Sequence, residues 1–174
     1  METQCVGASD DRAICKVMRA ARAPCFRTRS QLRLFRESGG RVSITYDSKG
    51  TIWALVFYRL IDEWGGAVIE RSIYCESVVF QEATSDVWDL AAQSIRYFLR
   101  SLLIMTRCSR VLLTVHKADP EYQRKLRAIG FLRAPVNEIC DCCALMVFSH
   151  HGEHVGGVVL ERILEGNVAT YGEC

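Results

Sequence analysis

The spacing of apolar residues changes to a period of two at residue 42, and this change limits what the chain can fold into. Val42, Ile44 and Tyr46 alternate with polar residues, which indicates a half-buried strand. Two further stretches rich in β-branched and aromatic residues follow at 51–61 and 67–80, each after a turn that contains glycine. The pattern predicts three consecutive hairpin-connected strands in an antiparallel sheet.

The second half of the chain alternates helical and strand patterns. Its elements are expected at 86–105, 110–116, 121–129, 131–133 and 142–149. Thr84 and Ser85 offer N-cap oxygens to the long helix, Pro120 suits a helix start, and Gly130 suits a helix end. Hairpin strands that continue into β-α-β units predict an α/β fold with a mixed, mostly antiparallel central sheet and helices on both faces.

Two shorter helices are expected before the first of these strands, at about 12–22 and 31–37. Their caps and stops are expected at Asp10-Asp11 and Pro24 for the first, and at Ser30 and Gly39-Gly40 for the second. The predicted organisation is a basic helical segment at 1–40, an α/β core at 41–150 and a tail at 151–174. The pattern of the tail leaves open a strand exchanged in a homodimer.

Length and hydropathy bound the class of protein. A chain of 174 residues that is 49% hydrophobic fits one domain with a substantial core. Uncharged apolar runs such as Ser101–Thr106 are far shorter than the roughly 18 residues that a bilayer requires. Residues 1–12 hold no apolar stretch of the kind that a secretory signal needs, so we expect none.

Nine cysteines occur at irregular spacing. An odd number, partly inside apolar stretches, is more typical of reduced thiols that pack as small hydrophobic side chains than of a disulfide scaffold. This predicts a reducing, cytoplasmic setting. Potential metal ligands gather near the C-terminus, at Cys140, Asp141, Cys142, Cys143, His150, His151 and His154. Their spacing lacks a paired Cys-x-x-Cys pattern, so no metal site is assigned.

Positive charge is concentrated near the N-terminus. From Arg12 to Arg41 there are nine Lys or Arg residues and one acid, Glu37, a net charge of +8, whereas the whole chain carries +2. Phe26 and Phe35 lie among these cations, and arginine predominates, which suits bidentate contacts with phosphate. Two interpretations stay open: a surface for an anionic partner (nucleic acid or an acidic protein), and a solvated pair of amphipathic helices.

The stretch Val111–Phe131, VLLTVHKADPEYQRKLRAIGF, resembles the fifth strand, the fourth helix and the following Gly-Phe of the GNAT acyltransferases. The segments VWDLAAQSIRYFLRSL and RVLLTV are similar to that family's third helix and fifth strand. The order of elements over 41–150 is similar as well. The resemblance implies an enzyme that moves an acyl group from acyl-coenzyme A, such as acetyl-CoA, to a small-molecule or protein amine.

In the GNAT family, a Gln/Arg-x-x-Gly-x-Gly/Ala loop after the fourth strand holds the pyrophosphate of coenzyme A through its backbone amides. By this resemblance the cofactor-binding residues are Val78, Val79, Gln81, Thr84 and Ser85. Gln81 matches the first position of the signature, whereas Thr84 and Asp86 stand where the family has glycine. Glu82 and Asp89 add negative charge to the same segment. We therefore expect coenzyme A to bind weakly.

The resemblance also implies a general base and a general acid. Glu76, which alternation places on the same strand face as Val78, would deprotonate the amine, and Tyr122 would protonate the leaving thiolate. The family's acid tyrosine corresponds here to Leu126, one helical turn beyond Tyr122. His116, at the end of a predicted strand, is a third titratable candidate. The alternatives are an ordinary charged strand surface for Glu76 and a structural strand-end histidine for His116.

Two classes of function follow. One is a divergent GNAT-like N-acyltransferase. The other is a catalytically degenerate GNAT-like module that binds a protein or a nucleic acid through its basic N-terminal face. A third possibility is another transfer chemistry on the same scaffold, because fold alone does not determine the reaction.

Overall fold

The computed structural model describes residues 1–23, 25–64, 67–134 and 143–149. The strands are β1 (Glu2–Val6), β2 (Arg41–Tyr46), β3 (Ile52–Trp64), β4 (Ala67–Phe80), β5 (Arg110–His116), β6 (Leu132–Arg133) and β7 (Cys143–Ser149). The α-helices are α1 (Asp11–Ala20), α2 (Arg29–Glu37), α3 (Ser85–Thr106) and α4 (Pro120–Ile129). The strands form one sheet in the order β1-β2-β3-β4-β5-β7-β6. The β1–β2, β2–β3, β5–β7 and β6–β7 pairs are antiparallel, and the expected α/β fold is confirmed.

The chain divides into two compact units. Unit 1 contains Met1–Arg59 and Cys75–Phe98, and unit 2 contains Leu60–Tyr74 and the described residues from Leu99 onward. The division passes through β3, β4 and α3, so each of these long elements belongs partly to both units. The helical segment expected at 1–40 lies in unit 1 with β2 and with parts of β3 and β4.

In unit 1, α1 and α2 pack against one face of the sheet. Their apolar residues recur at helical spacing and are buried together with alternate residues of the strands. The shared core contains Ile14, Val17, Met18, Leu32, Phe35, Val42, Ile44, Leu55, Phe57 and Val79. Ala13 and Ala20 of α1 are exposed. The side of α1 that faces the sheet is formed by the larger residues Ile14, Val17 and Met18.

The first part of α3 packs on the opposite face of the unit 1 sheet. Thr45, which alternates with the core residues of β2, lies 2.8 Å from the Thr3 hydroxyl (Oγ1 to Oγ1). The same Thr3 oxygen lies 2.8 Å from Ser94 Oγ of α3. On β3, the Tyr58 ring meets Phe98 edge-on with centroids 6.0 Å apart. Helices therefore cover both faces of the sheet, as expected.

The starts of α1 and α2 differ from those expected, whereas α2 ends at Glu37 as expected. A capping box begins α2 at Thr28: its hydroxyl accepts from Gln31 N at 3.3 Å, and Gln31 Oε1 accepts from Thr28 N at 3.2 Å. Ser30, the expected cap, lies inside the helix because the residue three positions beyond it is not Glu or Gln. Asp10 precedes α1 but makes no capping hydrogen bond with its side chain. Its carboxylate accepts from the Ser9 hydroxyl at 3.0 Å.

An edge strand, β1, was not expected from the sequence. It pairs with β2 from Glu2↔Tyr46 to Val6↔Val42. Arg36 of α2 anchors its end, because the guanidinium donates to Val6 O and Gly7 O at 3.0 Å each. The strand depends on these tertiary contacts more than on its own apolar pattern.

Unit 2 has its own core around the β5–β7 pair, which runs in register from Arg110↔Ser149 to His116↔Cys143. The core cluster contains Ile69, Leu112, Ala134, Leu145 and Val147. The start and end of α4 are as expected. Asp119 caps it by accepting from Tyr122 N at 2.9 Å, Pro120 follows, and Gly130 ends it with φ of 117°.

The turn expected at 135–138, the stop at Pro24 and the tail from residue 150 lie outside the described residues. Cys140, Asp141 and Cys142, which are among the potential metal ligands near the C-terminus, also lie outside the described residues. The described cysteines are free thiols, and Cys15, Cys75 and Cys108 are buried among core residues as the sequence predicts. None of the helices described is long and apolar enough to cross a membrane.

Candidate functional site

A cleft of about 350 Å³ opens on the α1–α2 side of unit 1. Side chains from the α1–α2 loop, from α2 and its C-terminal cap, and from two neighbouring strands line it. They are Cys25, Phe26, Gln31, Leu34, Phe35, Ser38, Arg59 and Glu76. Glu76, the general base expected from the sequence, therefore lies on β4 in the wall of this cleft.

Stacked aromatic rings form the apolar wall of the cleft. Phe26 stacks on Phe57 with centroids 4.5 Å apart and meets Phe35 at 4.8 Å. Phe26 has φ of 54°, a conformation that costs a non-glycine residue about 1–3 kcal/mol. The Phe35 ring lies so close to Gly40 that a Cβ there would be 2.5 Å from it. The α1–α2 loop thus has a strained backbone at Phe26, and this conformation places the Phe26 ring in the same cleft as Glu76.

Glu76 faces a cation across the cleft. Arg59 Nε lies 2.7 Å from Glu76 Oε1, and the two side chains are 32% and 28% exposed. That Nε forms no hydrogen bond with any described residue. Glu76 Oε1 therefore lies off the axis of the Arg59 Nε–H bond, and the contact is an ion pair. The guanidinium also lies 5.3 Å from the centre of the Phe35 ring. Arg59 is held by an ion pair and a cation–π contact together.

The face that Glu76 presents differs from simple alternation. Val79 is three residues further along β4 and belongs to the core under α1 and α2. Glu76 lines the cleft on the same side. Strict alternation would place residues three apart on opposite faces, so the period of β4 shifts between them, as at a β-bulge. Because of this shift, Glu76 enters the cleft instead of sharing a face with Val78.

The pKa of the Cys25 thiol depends on the charge of Glu76. Burial raises the pKa of its thiol above the ordinary value, and the negative charge of Glu76 raises that pKa further. Glu76→Gln is therefore expected to lower the pKa of Cys25 and to speed its alkylation by iodoacetamide at pH 8 about two- to threefold. Peptide mass spectrometry measures this rate, with the exposed Cys5 as the internal control. An unchanged or slower Cys25 rate would contradict the proximity of the two groups.

The residues expected to bind the cofactor follow Glu76 on the chain. Val78 and Val79 are buried within β4. The backbone N of Gln81, the first residue after β4, donates to Trp53 O of β3 at 2.9 Å. Thr84 and Ser85 are exposed at the start of α3. The cofactor role of all five stays a prediction.

The start of α3 fits a pyrophosphate in part. A helix that begins at Ser85 has amides in its first turn without intrahelical partners, and the exposure of Glu82–Asp86 leaves this end accessible. The charge there opposes an anion. Asp86 lies in the first turn and accepts from the Ser85 hydroxyl at 3.3 Å. An exposed carboxylate at about 4 Å costs a phosphate about 1 kcal/mol, similar to the gain from the helix dipole. The residues present therefore fit a pyrophosphate only in part, and weak binding of coenzyme A stays a prediction.

The other two titratable candidates lie in unit 2. His116 is exposed at the end of β5, where its Nδ1 accepts from Ala118 N at 3.2 Å. Tyr122 is half-buried in the first turn of α4. The hydrogen bond of His116 explains its position by local structure, and a catalytic role for either residue stays a prediction.

The sequence pattern did not predict the places of Arg59 and of the aromatic wall in the cleft. A signal for Arg59 was present, because Leu55, Phe57 and Arg59 alternate on one face of β3 and a cation at the third of these positions breaks an apolar pattern. No comparable signal marks Phe26, whose position depends on a loop conformation.

Comparison with known proteins agrees with this architecture. No known family model and no curated sequence matches the chain. A mutant of the spermidine N-acetyltransferase SpeG from Vibrio cholerae matches it with a TM-score of 0.63 at 14% identity, covering 91% of this chain and 99% of that chain. The ribosomal-protein-S5-alanine acetyltransferase from Vibrio fischeri matches with a TM-score of 0.60 at 11% identity, covering 85% and 92%. A dodecameric SpeG structure from Vibrio cholerae matches with a TM-score of 0.57 at 14% identity, covering 85% and 92%.

These solved structures are N-acetyltransferases, and at such low identities the likeness shows the fold alone. The chain therefore has the GNAT fold, as expected from the element order and from Val111–Phe131.

Proposed function

We propose that this protein is a GNAT-type N-acyltransferase that binds its acceptor amine in the unit 1 cleft. The observation that carries the proposal is Glu76, which is the one carboxylate among the described residues of the cleft. A primary amine is protonated in neutral water, so it must lose a proton before it can attack an acyl group. A carboxylate that lines an open cleft suits that task.

The neighbours of Glu76 suit an amine acceptor. Glu76 would hold the acceptor ammonium by a charge-assisted hydrogen bond and then take one proton from its nitrogen, directly or through one water. Arg59, placed against Phe35, restricts the carboxylate to one region of the cleft. The half-buried Phe26 would pack on the carbon chain of the acceptor, whereas Phe35 is buried. A cleft of about 350 Å³ suits a small amine or the end of a peptide chain.

The donor would be an acyl-coenzyme A, which supplies the acyl group as a reactive thioester. Gln81, Thr84 and Ser85 would hold its pyrophosphate at the start of α3. Tyr122 is the proposed source of the proton for the leaving thiolate.

Product formation tests the proposal directly. The purified chain is incubated with acetyl-CoA and a panel of primary amines that includes a neutral alkylamine, an amino acid amide, a peptide N-terminus and spermidine. Thiol release and mass spectrometry of the amine both report transfer. We expect acetylation of at least one amine above the uncatalysed rate. If no amine is acetylated at millimolar concentrations of both substrates, the proposed activity is wrong.

The donor loop gives a second expected result. Neutralising Glu82 and Asp86, as Glu82→Gln with Asp86→Asn, is expected to raise the affinity for acetyl-CoA about three- to tenfold, because two repulsive charges leave the start of α3. Calorimetry measures the dissociation constant. The matched control neutralises two exposed carboxylates of β3, Asp62→Asn with Glu63→Gln, which changes net charge equally. Equal effects of both variants would show that the loop does not bind the pyrophosphate.

A second candidate function is favoured by the same loop. The segment Gln81–Leu90 contains no glycine and three carboxylates. This composition fits a GNAT-like module that has lost its donor site and serves as a binding protein. Absence of acetyl-CoA binding in the wild type and in the neutralised variant would favour that candidate. A low-micromolar dissociation constant for the wild type would exclude it.

A further inference from the structure

Six cations of α1, of the α1–α2 loop and of the start of α2 are exposed and do not line the cleft. This basic surface consists of Arg12, Lys16, Arg19, Arg22, Arg27 and Arg29, all of them exposed. No salt bridge joins any of the six to an acid within the described part of the chain. The two remaining cations of α2 differ, because Arg33 pairs with Glu37 and Arg36 pairs with Asp11. Six uncompensated like charges repel one another, which disfavours the compact state.

The helix α1 places three of these charges in a row. Arg12, Lys16 and Arg19 lie at i, i+4 and i+7, away from the buried Ile14 and Met18. At 1.5 Å per residue they span about 10 Å along the helix axis. Each strand of a nucleic acid duplex carries one phosphate about every 3.4 Å of axis, so the row matches a run of about three phosphates.

The chemistry of the basic surface suits phosphate. Five of its six cations are arginine, whose planar guanidinium binds phosphate with two hydrogen bonds. Backbone carbonyls orient two of them: Arg19 Nε donates to Cys15 O at 3.1 Å, and Arg27 Nη2 donates to Arg22 O at 2.9 Å. These bonds fix the arginine stems and leave other guanidinium donors for a ligand.

An acidic protein fits the basic surface less well. Protein interfaces usually have an apolar, often aromatic centre surrounded by polar residues. Among described residues between 7 and 41, Leu34 is the one large apolar side chain that is strongly exposed. The basic surface therefore offers charge without an apolar centre.

A single-stranded nucleic acid also fits less well. Proteins that bind single strands stack the bases on exposed aromatic side chains. The two aromatic residues of this segment are packed on each other and on the sheet, since Phe26 stacks on Phe57 and Phe35 is buried. What remains is contact with a phosphate backbone.

We infer that the basic surface binds the phosphodiester backbone of a double-stranded nucleic acid without reading its sequence. This inference does not depend on the proposed acyl transfer, because none of its six residues lines the cleft. Together the two would place a nucleic acid beside a site that accepts an amine.

Fluorescence anisotropy with labelled duplexes tests the inference on the full chain. A 20-base-pair DNA duplex, the corresponding RNA duplex, a single strand of the same sequence and poly-glutamate are titrated at 50–200 mM salt. We expect either or both duplexes to bind more tightly than the single strand and poly-glutamate. The logarithm of affinity should fall steeply with the logarithm of salt concentration.

A variant that removes three charges isolates the surface. The substitutions are Arg12→Gln, Lys16→Gln and Arg29→Gln, which keep helix-forming side chains. The slope against salt should become shallower by about 0.9 per lost contact, and affinity at 50 mM salt should fall at least about tenfold. The control makes the same change in net charge at exposed sites elsewhere: Lys49→Gln, Arg71→Gln and Arg124→Gln.

The outcomes separate the alternatives. Loss of binding in the first variant alone, with the circular dichroism of both variants unchanged, supports the inference. Equal loss in both variants would show a general charge effect and overturn it. Tighter binding of poly-glutamate would identify an acidic protein surface, and tighter binding of the single strand would identify base stacking; either result overturns the duplex assignment.

Discussion

Arg36→Met is expected to lower the free energy of unfolding by about 3 kcal/mol. The guanidinium lies 3.0 Å from Asp11 Oδ1, and the two side chains are only 19% and 9% exposed. Its other donors bind Val6 O and Gly7 O, which hold the end of β1. The substitution leaves a buried carboxylate without its partner and two carbonyls without donors, and each loss destabilises the folded state.

Urea unfolding followed by circular dichroism measures this effect. The matched control is Arg33→Met on the same helix, whose ion pair with Glu37 spans 3.6 Å between side chains that are 73% and 61% exposed. Exposed pairs of this kind contribute less than about 1 kcal/mol. Adding Asp11→Asn to Arg36→Met should recover part of the loss, because it removes the uncompensated charge. Equal stability of the two single variants would mean that Arg36 is not an anchor.

The periodic elements were predictable because local sequence determines them. The strand β4 was placed from its β-branched run between Gly65-Gly66 and the polar segment that follows Phe80. Pro120 and Gly130 placed α4, because a proline suits a first helical turn and a glycine with positive φ suits the end. These elements are specified within their own residues, so their bounds follow from the sequence.

The strand β1 was not predictable in this way. Its sequence, Glu2–Val6, alternates too weakly to indicate a buried face, and most of it is exposed at the edge of the sheet. Its place depends on pairing with β2 and on Arg36, which is 30 residues away from Val6 along the chain. Contacts of such long range leave no periodic signal.

The candidate site was predictable only in part. Glu76 stood out as a carboxylate on a strand, but alternation assigned it to the face of Val78. The shift of period within β4 is a backbone feature that side-chain spacing does not reveal. Phe26 and Arg59 reach the cleft through a loop with positive φ and through the neighbouring strand. The sequence indicates the group that can act as a base, and the fold determines what surrounds it.

Glu76→Gln is expected to reduce acyl transfer about 10²- to 10⁴-fold, because glutamine keeps the shape of the side chain and cannot take a proton. The loss should fall on kcat, since the amide oxygen of the substituted side chain can still accept a hydrogen bond from the acceptor. Steady-state kinetics with an amine that the wild type acetylates measures kcat and KM separately. A rise in pH should restore part of the lost rate, because more of the amine is then already deprotonated.

Arg59→Gln distinguishes a base from a structural partner. If Glu76 served only to hold Arg59, both variants would lose activity equally, and neither would gain more from higher pH than the wild type does. In the proposed mechanism Arg59 restricts the carboxylate without taking the proton, so its loss should cost about tenfold and leave the pH profile unchanged in shape. Retention of more than a tenth of wild-type kcat by Glu76→Gln would assign the proton transfer to another group. Thermal melting of both variants separates these effects from unfolding, since the ion pair is about one-third exposed and contributes little to stability.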